Sequence, residues 1–255
     1  MSLEELFEEH EICPCGPRPA TTRRVIDRTN VAALIPAYFE ANHIADVARR
    51  VCTQIDCVLV VDDGSTDATE TEARTSGAQV IRHAQNQGKG AAIKTGLREL
   101  AARPGIEYIM ILDGDGQHSP EEIPNFLEEA NRSGAELIVG NRMSDTRTMP
   151  LVRKLTNRTM SALISGLIGQ SVPDSQCGFR MFRRDLALAL LDTASSNFDF
   201  ETEMLAIAAR RGGRIAAAPI STIYGDEVSK IRPVRDTIRF FKLMARLRRE
   251  MHAPK

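Results

Sequence analysis

Asp113, Asp115 and Gln117 alternate with glycines in the order Asp-Gly-Asp-Gly-Gln. In an extended segment, side chains two residues apart point the same way. Three oxygen-bearing side chains at that spacing can share one hard cation such as Mg2+ or Mn2+, which keeps positions for phosphate oxygens. An acidic turn after a strand has the same look. The difference here is that several apolar runs end in polar motifs, so the acids do not stand alone.

Pro36-Ala-Tyr38-Phe-Glu40 follows the apolar run Val31–Ile35, and Asp62-Asp63-Gly64-Ser65 follows Cys57–Val61. Adjacent carboxylates repel unless a donor reaches one of them, and a nucleobase or ribose hydroxyl is such a donor. Gly64 permits a turn, and Ser65 or Thr66 suits a helix cap. Asn86-Gln-Gly88-Lys89-Gly90-Ala has the composition of a phosphate loop at a helix start: glycines let backbone N–H groups approach an anion and Lys89 adds charge. The eight-residue Walker pattern is missing, which argues against an ordinary ATPase.

The elements that must position these residues alternate. Strand signals at Val31–Ile35, Cys57–Val61, Ala78–Ile81, Tyr108–Leu112 and Glu136–Val139 are separated by helical stretches at Asn42–Thr53, Thr66–Ser76, Gly90–Ala102 and Pro120–Arg132. Short continuous apolar strands joined by such helices predict an α/β fold with a mainly parallel, buried sheet. Ligands of such sheets bind beyond the carboxyl ends of the strands, where the polar motifs lie. After Met149 the pattern becomes α+β: a helix over Met149–Gly169, a strand over Gln176–Phe182, and helices near Arg184–Leu191 and Phe200–Arg211. The predicted organisation is an N-terminal arm over 1–30 and a single domain over 31–255. Within it lie a nucleotide half (31–140), an acceptor half (141–230) and a basic C-terminal helix (231–255).

Composition sets limits. The 255 residues are 42% hydrophobic and 26% charged, enough for a sizeable core, and the net charge of −1 gives no basic field for nucleic acid. The odd cysteine count argues against a disulfide scaffold. Cys13 and Cys15 lack the second close pair that a structural zinc site needs. An acidic start is unlike a secretory leader, and no apolar run reaches about 20 residues. The expectation is a soluble, cytoplasmic protein or one lying on a membrane surface. From Val228 onward nine basic residues face two acidic ones. Arg235, Arg239, Lys242, Arg246 and Arg249 form one stripe of a helix, beside Val234, Ile238, Phe241 and Ala245. Such a helix suits an anionic membrane or a solvated basic face.

Taken in order, Pro-Ala-Tyr-Phe-Glu, Val-Val-Asp-Asp-Gly-Ser-Thr-Asp, Asn-Gln-Gly-Lys-Gly-Ala and Asp-Gly-Asp-Gly-Gln-His-Ser-Pro-Glu resemble family 2 glycosyltransferases of the GT-A (Rossmann-like) fold. Within that family they are most similar to the dolichyl-phosphate or polyprenyl-phosphate mannose synthase branch, over about Val31 to Phe241. The resemblance implies inverting transfer of a sugar, mannose or glucose, from a GDP- or UDP-linked donor to a polyprenyl phosphate. It implies that Pro36, Tyr38, Glu40 and Asp63 hold base and ribose, with Asp62, Lys89 and Gly114 also on the nucleotide-sugar side. Asp113, Asp115 and Gln117 would hold the metal and diphosphate, and His118 beside them would shape the loop.

On the acceptor side, Cys177-Gly-Phe179-Arg180 and Ser229-Lys230 match segments of the branch, although Tyr224 stands where the branch carries an Arg. A phosphate acceptor needs cations to place it, and the candidates are Arg142, Arg153, Arg180 and Lys230, with Arg142 also catalytic. A soluble or glycan hydroxyl acceptor would instead need a carboxylate base; Asp174, Asp199, Glu201 and Glu203 are the candidates. A non-catalytic nucleotide-sugar-binding protein is the alternative of another class.

Overall fold

The computed structural model describes residues 24–144, 146–147, 149–191, 193, 199–221 and 233–252. Seven strands form one sheet, in chain order β1 (Val31–Ala37), β2 (Cys57–Asp62), β3 (Gln79–Arg82), β4 (Tyr108–Ile111), β5 (Leu137–Asn141), β6 (Arg180–Arg183) and β7 (Ile215–Pro219). Their spatial order is β3-β2-β1-β4-β6-β5-β7. All pairings are parallel except those of β6, which runs antiparallel to both β4 and β5. Because β6 reverses direction between them, β4 and β5 point the same way. Ala37, Asp62, Ile111 and Asn141 therefore end at one edge of the sheet.

The helices are α1 (Ile44–Gln54), α2 (Thr69–Thr75), α3 (Lys89–Ala101), α4 (Ile123–Ser133), α5 (Leu151–Ile168), α6 (Arg184–Leu191), α7 (Asp199–Arg210) and α8 (Pro233–His252). Every residue of β1 and of β4 is buried, which explains apolar runs without alternation. A main core joins both halves, from Ile35 and Val60 through Phe126 to Phe182 and Leu205. The body begins before Val31. Ile26 is buried, and its backbone N–H and C=O both bond to the Asn131 side chain of α4.

Two local expectations change, and one strand is new. α2 starts at Thr69 with no side-chain cap from Ser65 or Thr66. Ser65 instead donates its hydroxyl to Asp62, and Asp67 accepts from the Thr69 N–H and hydroxyl. Of the expected strand over Gln176–Phe182, only Arg180–Phe182 enters the sheet, and the strand runs on to Arg183. β7, Ile-Ala-Ala-Ala-Pro, has no strand signature; pairing with β5 decides it over the helix propensity of alanine.

The C-terminal helix also differs from expectation in its packing face. α8 buries Phe240, Leu243 and Leu247, at helical spacing, and Leu243 and Leu247 cluster with Ala206 of α7. Ala245, expected on the apolar stripe, is exposed, and the side chains at 234, 238 and 241 lie outside the described residues. Among the described residues, no helix is long and apolar enough to cross a membrane.

Candidate active site

The edge where β1, β2, β4 and β5 end gathers the polar motifs. β4 delivers Asp113 and α3 begins at Lys89, whose ammonium lies 2.8 Å from Asp113 Oδ1. The same ammonium is 2.8 Å from Glu201 Oε1 on α7. Burial would lower the Lys89 pKa, but the two carboxylates outweigh it and raise it above the ordinary lysine value. Burial would likewise raise Asp113, but the Lys89 charge, helped by Arg142, holds it below the usual carboxylate range. Asp113 is thus kept ionised in a half-enclosed site. Two residues on, Asp115 Oδ1 accepts the Gln117 N–H at 3.0 Å, which closes the turn.

The donors that relieve Asp62 and Asp63 come from the chain itself. Asp62 is fully buried and accepts from the Ser65 N–H at 3.0 Å and from its hydroxyl. Asp63 accepts the backbone N–H groups of Gln87 at 2.9 Å and Gly88 at 2.7 Å, and its Oδ1 lies 2.6 Å from His83 Nδ1. This corrects the expectation for the glycine-rich segment, whose amides meet an internal anion, the Asp63 carboxylate. Gly64 has φ +76°, and a Cβ there would lie 2.5 Å from the Gln85 carbonyl carbon, so only glycine lets the two loops touch.

At the end of β1, Tyr38 and Phe39 are exposed, with ring centroids 4.4 Å apart and edge to face. Phe39 has φ +57°, the sole positive value for a non-glycine among the described residues. A bulky residue there is strained, and the backbone around it is held by Ser65 Oγ, which accepts the Phe39 N–H, and by Thr69 Oγ1, which accepts that of Glu40.

On the other side, Arg142 directs Nε and Nη2 to the two oxygens of buried Asp174, at 2.7 and 2.9 Å. This fork fixes the guanidinium plane. Arg180 departs from its expected acceptor-binding role. It is 1% exposed, and its guanidinium donates to the carbonyls of Cys177, Ser175 and Glu201. Its donors are spent tying the 175–180 loop to α7 beside Glu201. Arg153 lies in the first turn of α5, and Lys230 lies outside the described residues.

The residues present fit a divalent cation. Asp113, Asp115 and Gln117 are hard oxygen donors, and a Cβ on Gly178 would lie 2.7 Å from Asp113 Oδ2. A glycine at that position leaves the flank of the carboxylate uncovered. Among the described residues no three His, Cys, Asp or Glu side chains form a ready-made cage. His118 is buried against Phe179, and burial chiefly pushes its pKa down to about 4, so it is neutral. Its Nδ1 has no hydrogen-bond partner among the described residues, so there the ring fills space instead of tying the loop through that atom.

Residues 32–191 match the model of glycosyl transferase family 2. The chain belongs to that family. It is 33% identical over 214 residues to the UDP-N-acetylglucosamine–dolichyl-phosphate N-acetylglucosaminyltransferase of Methanococcus voltae, covering 75% of this chain and 84% of the relative. It is 30% identical over 220 residues to the polyprenol monophosphomannose synthase of Mycolicibacterium smegmatis, covering 81% of each. Among solved structures it is similar to Mycobacterium tuberculosis glucosyl-3-phosphoglycerate synthase in complex with Mn2+, UDP and phosphoglyceric acid. That match has a TM-score of 0.66 and 22% identity and covers 89% of this chain and 80% of that one. The fold is GT-A.

In this family 2 chain, the structure brings Lys89, Asp113, Asp115 and Gln117 together, with Pro36, Tyr38 and Glu40 at the adjoining strand end. Glu201 is drawn in by Lys89 across 112 positions of sequence, which no local pattern signals. Gly178 and Asp174 also belong to the site. The Cys-Gly-Phe-Arg segment pointed to this place but to the wrong residue: its glycine meets Asp113, and its arginine is buried.

Proposed function

We propose that the chain transfers a hexose, mannose or glucose, with inversion, from a GDP- or UDP-linked sugar to a polyprenyl phosphate. The observation that carries the choice of acceptor concerns the bases. Of the four candidate bases, Asp174, Glu201 and Glu203 are already bound to Arg142, Lys89 and Arg246 respectively, and the Asp199 side chain lies outside the described residues. A hydroxyl acceptor needs a carboxylate base within reach. A phosphomonoester, with a second pKa of about 6, arrives ionised and needs none. Relatives named for dolichyl-phosphate and polyprenol-phosphate transfer support the same acceptor.

Pro36, Tyr38 and Glu40 flank the base and ribose, on a floor shaped by Asp62 and Asp63. Asp113, Asp115 and Gln117 would hold Mg2+ or Mn2+, which would supply neutralisation of the diphosphate charge. Solved neighbours in complex with Mn2+ or Mg2+ and UDP support that choice. Lys89 keeps Asp113 ionised. Arg142, oriented by Asp174, receives the acceptor phosphate with Arg153 and Lys230. An oxygen of that phosphate attacks the anomeric carbon from the face opposite the diphosphate, which leaves with the bonding electrons. The site works at the cytoplasmic face of a membrane, where such lipids lie.

Incubation of the full chain with GDP-mannose, UDP-glucose and UDP-N-acetylglucosamine, each with Mg2+ or Mn2+ and detergent-solubilised polyprenyl phosphate, tests this. Glycolipid is expected with at least one donor. Transfer to sugar hydroxyls but never to polyprenyl phosphate would overturn the acceptor.

A further inference from the structure

The N-terminal half of α5 is built inside out. The inward face of the helix carries Asn157, Ser161, Ile164 and Ile168, so its N-terminal half buries polar groups. Ser161 has a partner there: its Oγ accepts the Ser175 N–H at 2.9 Å, next to the Asp174 that orients Arg142. Over that half the apolar residues face outward. Leu151, Val152 and Leu155 are 81%, 79% and 69% exposed, and Leu163 is exposed further along. At 3.6 residues per turn, Leu151, Val152, Leu155, Thr159, Ala162 and Leu163 share about 120° of arc. None is charged and all are exposed.

The charges of α5 flank this arc, and all have one sign: Arg153, Lys154 and Arg158, with no acidic residue on the helix. A surface helix ordinarily buries its apolar stripe and shows a mixed-charge face. An exposed apolar stripe between cations is the pattern that lies in the headgroup region of an anionic bilayer, with apolar side chains among the acyl chains and cations at the phosphates. A second copy of this chain fits less well, because a two-fold contact would set the cations of one α5 against those of the other. α5 also follows β5, whose carboxyl end is at the edge that carries Asp113 and Arg142.

We propose that the outward face of α5 docks the protein on an anionic lipid surface, with the active-site edge turned toward it. Its purpose rests on the lipid-linked acceptor proposed above, but vesicle binding is measured without that acceptor or any sugar donor. The two ideas therefore fail separately.

The full chain contains no Trp. A Leu155→Trp variant is expected to show a blue-shifted emission on phosphatidylglycerol-containing vesicles and none on pure phosphatidylcholine. In sedimentation, the Leu151→Ser/Val152→Ser/Leu155→Ser variant is expected to lose at least about tenfold in partitioning to the anionic vesicles. Its thermal midpoint should be unchanged, because the three side chains are exposed. Arg158→Gln should weaken binding, and added salt should weaken the wild type. Three outcomes overturn the proposal: no blue shift on anionic vesicles; wild-type binding by the triple variant; or binding lost only when Lys242 and Arg249 of α8 are changed. A triple variant that still binds vesicles but turns a dimer into a monomer would reassign the face to self-association.

Discussion

The Lys89 ammonium lies 2.8 Å from Asp113 Oδ1 and joins the first turn of α3 to the end of β4. It also bonds Glu201, so one cation serves two carboxylates. Lys89→Met leaves both without that partner. Unfolding stability is expected to fall by about 1–3 kcal/mol, and transfer by about a hundredfold or more. Lys89→Arg should recover stability better than rate, because a planar fork does not replace a point charge. Urea unfolding beside single-turnover transfer checks both.

Asp115 follows Asp113 by two residues, and its Oδ1 accepts the Gln117 N–H. Asp115→Ala should leave the fold intact and reduce transfer by at least about 10²-fold. Near-wild-type turnover in that variant would remove the assignment of this carboxylate to the metal and diphosphate.

Asp63 anchors the glycine-rich loop through Gln87, Gly88 and His83. In Asp63→Asn an amide NH2 meets a group that already donates. A loss of about 1.5–3 kcal/mol is expected, as for hydrogen bonds to a charged group. Because the loop begins α3 and so sets Lys89, both donor KM and kcat should worsen. A KM-only effect would separate the loop from Lys89.

A Cβ on Gly178 would sit 2.7 Å from Asp113 Oδ2. Gly178→Ala should therefore displace the carboxylate, raising the Mn2+ concentration needed for half-maximal activity by about tenfold or more, equivalent to about 1.4 kcal/mol. Circular dichroism should be unchanged. An unchanged metal requirement would show that the carboxylate has another place to go.

Arg50 of α1 forks onto Glu121 at 2.9 and 2.5 Å. This bond, with help from Ser119, holds the Glu121 carboxyl down to about 2 from an ordinary 4.5. The unfolded chain takes up the proton first as pH falls. The pair's contribution is therefore complete above about pH 4.5 and disappears on the way down to about 2. With the Glu121 side chain 56% exposed, that contribution is at most about 1 kcal/mol. Arg50→Gln should lower stability at neutral pH and converge with the wild type in acid, as read by urea midpoints.

Much of the fold was legible because a strand buried on both faces must be apolar throughout. Runs such as Ala-Ala-Leu-Ile before Pro36 and Tyr-Ile-Met-Ile before Leu112 therefore announced central parallel strands. Motifs at their carboxyl ends announced a shared crevice. β7 was not legible, since three alanines carry no strand period and only the pairing with β5 makes them one.

The sequence by itself determined the family, the strand ends and the set of oxygen-bearing and basic residues gathered there, because these depend on local periodicity and on motifs contiguous in the chain. Tertiary structure alone decided how each charge is spent. Asp63 is used up on the amides of Gln87 and Gly88, Arg180 on three carbonyls, and Lys89 on Asp113 and Glu201. It also placed β6 antiparallel beside β4, which sets Gly178 against Asp113. Those partners lie on different elements, and which elements become neighbours depends on strand order and direction, which the period of any one segment does not encode.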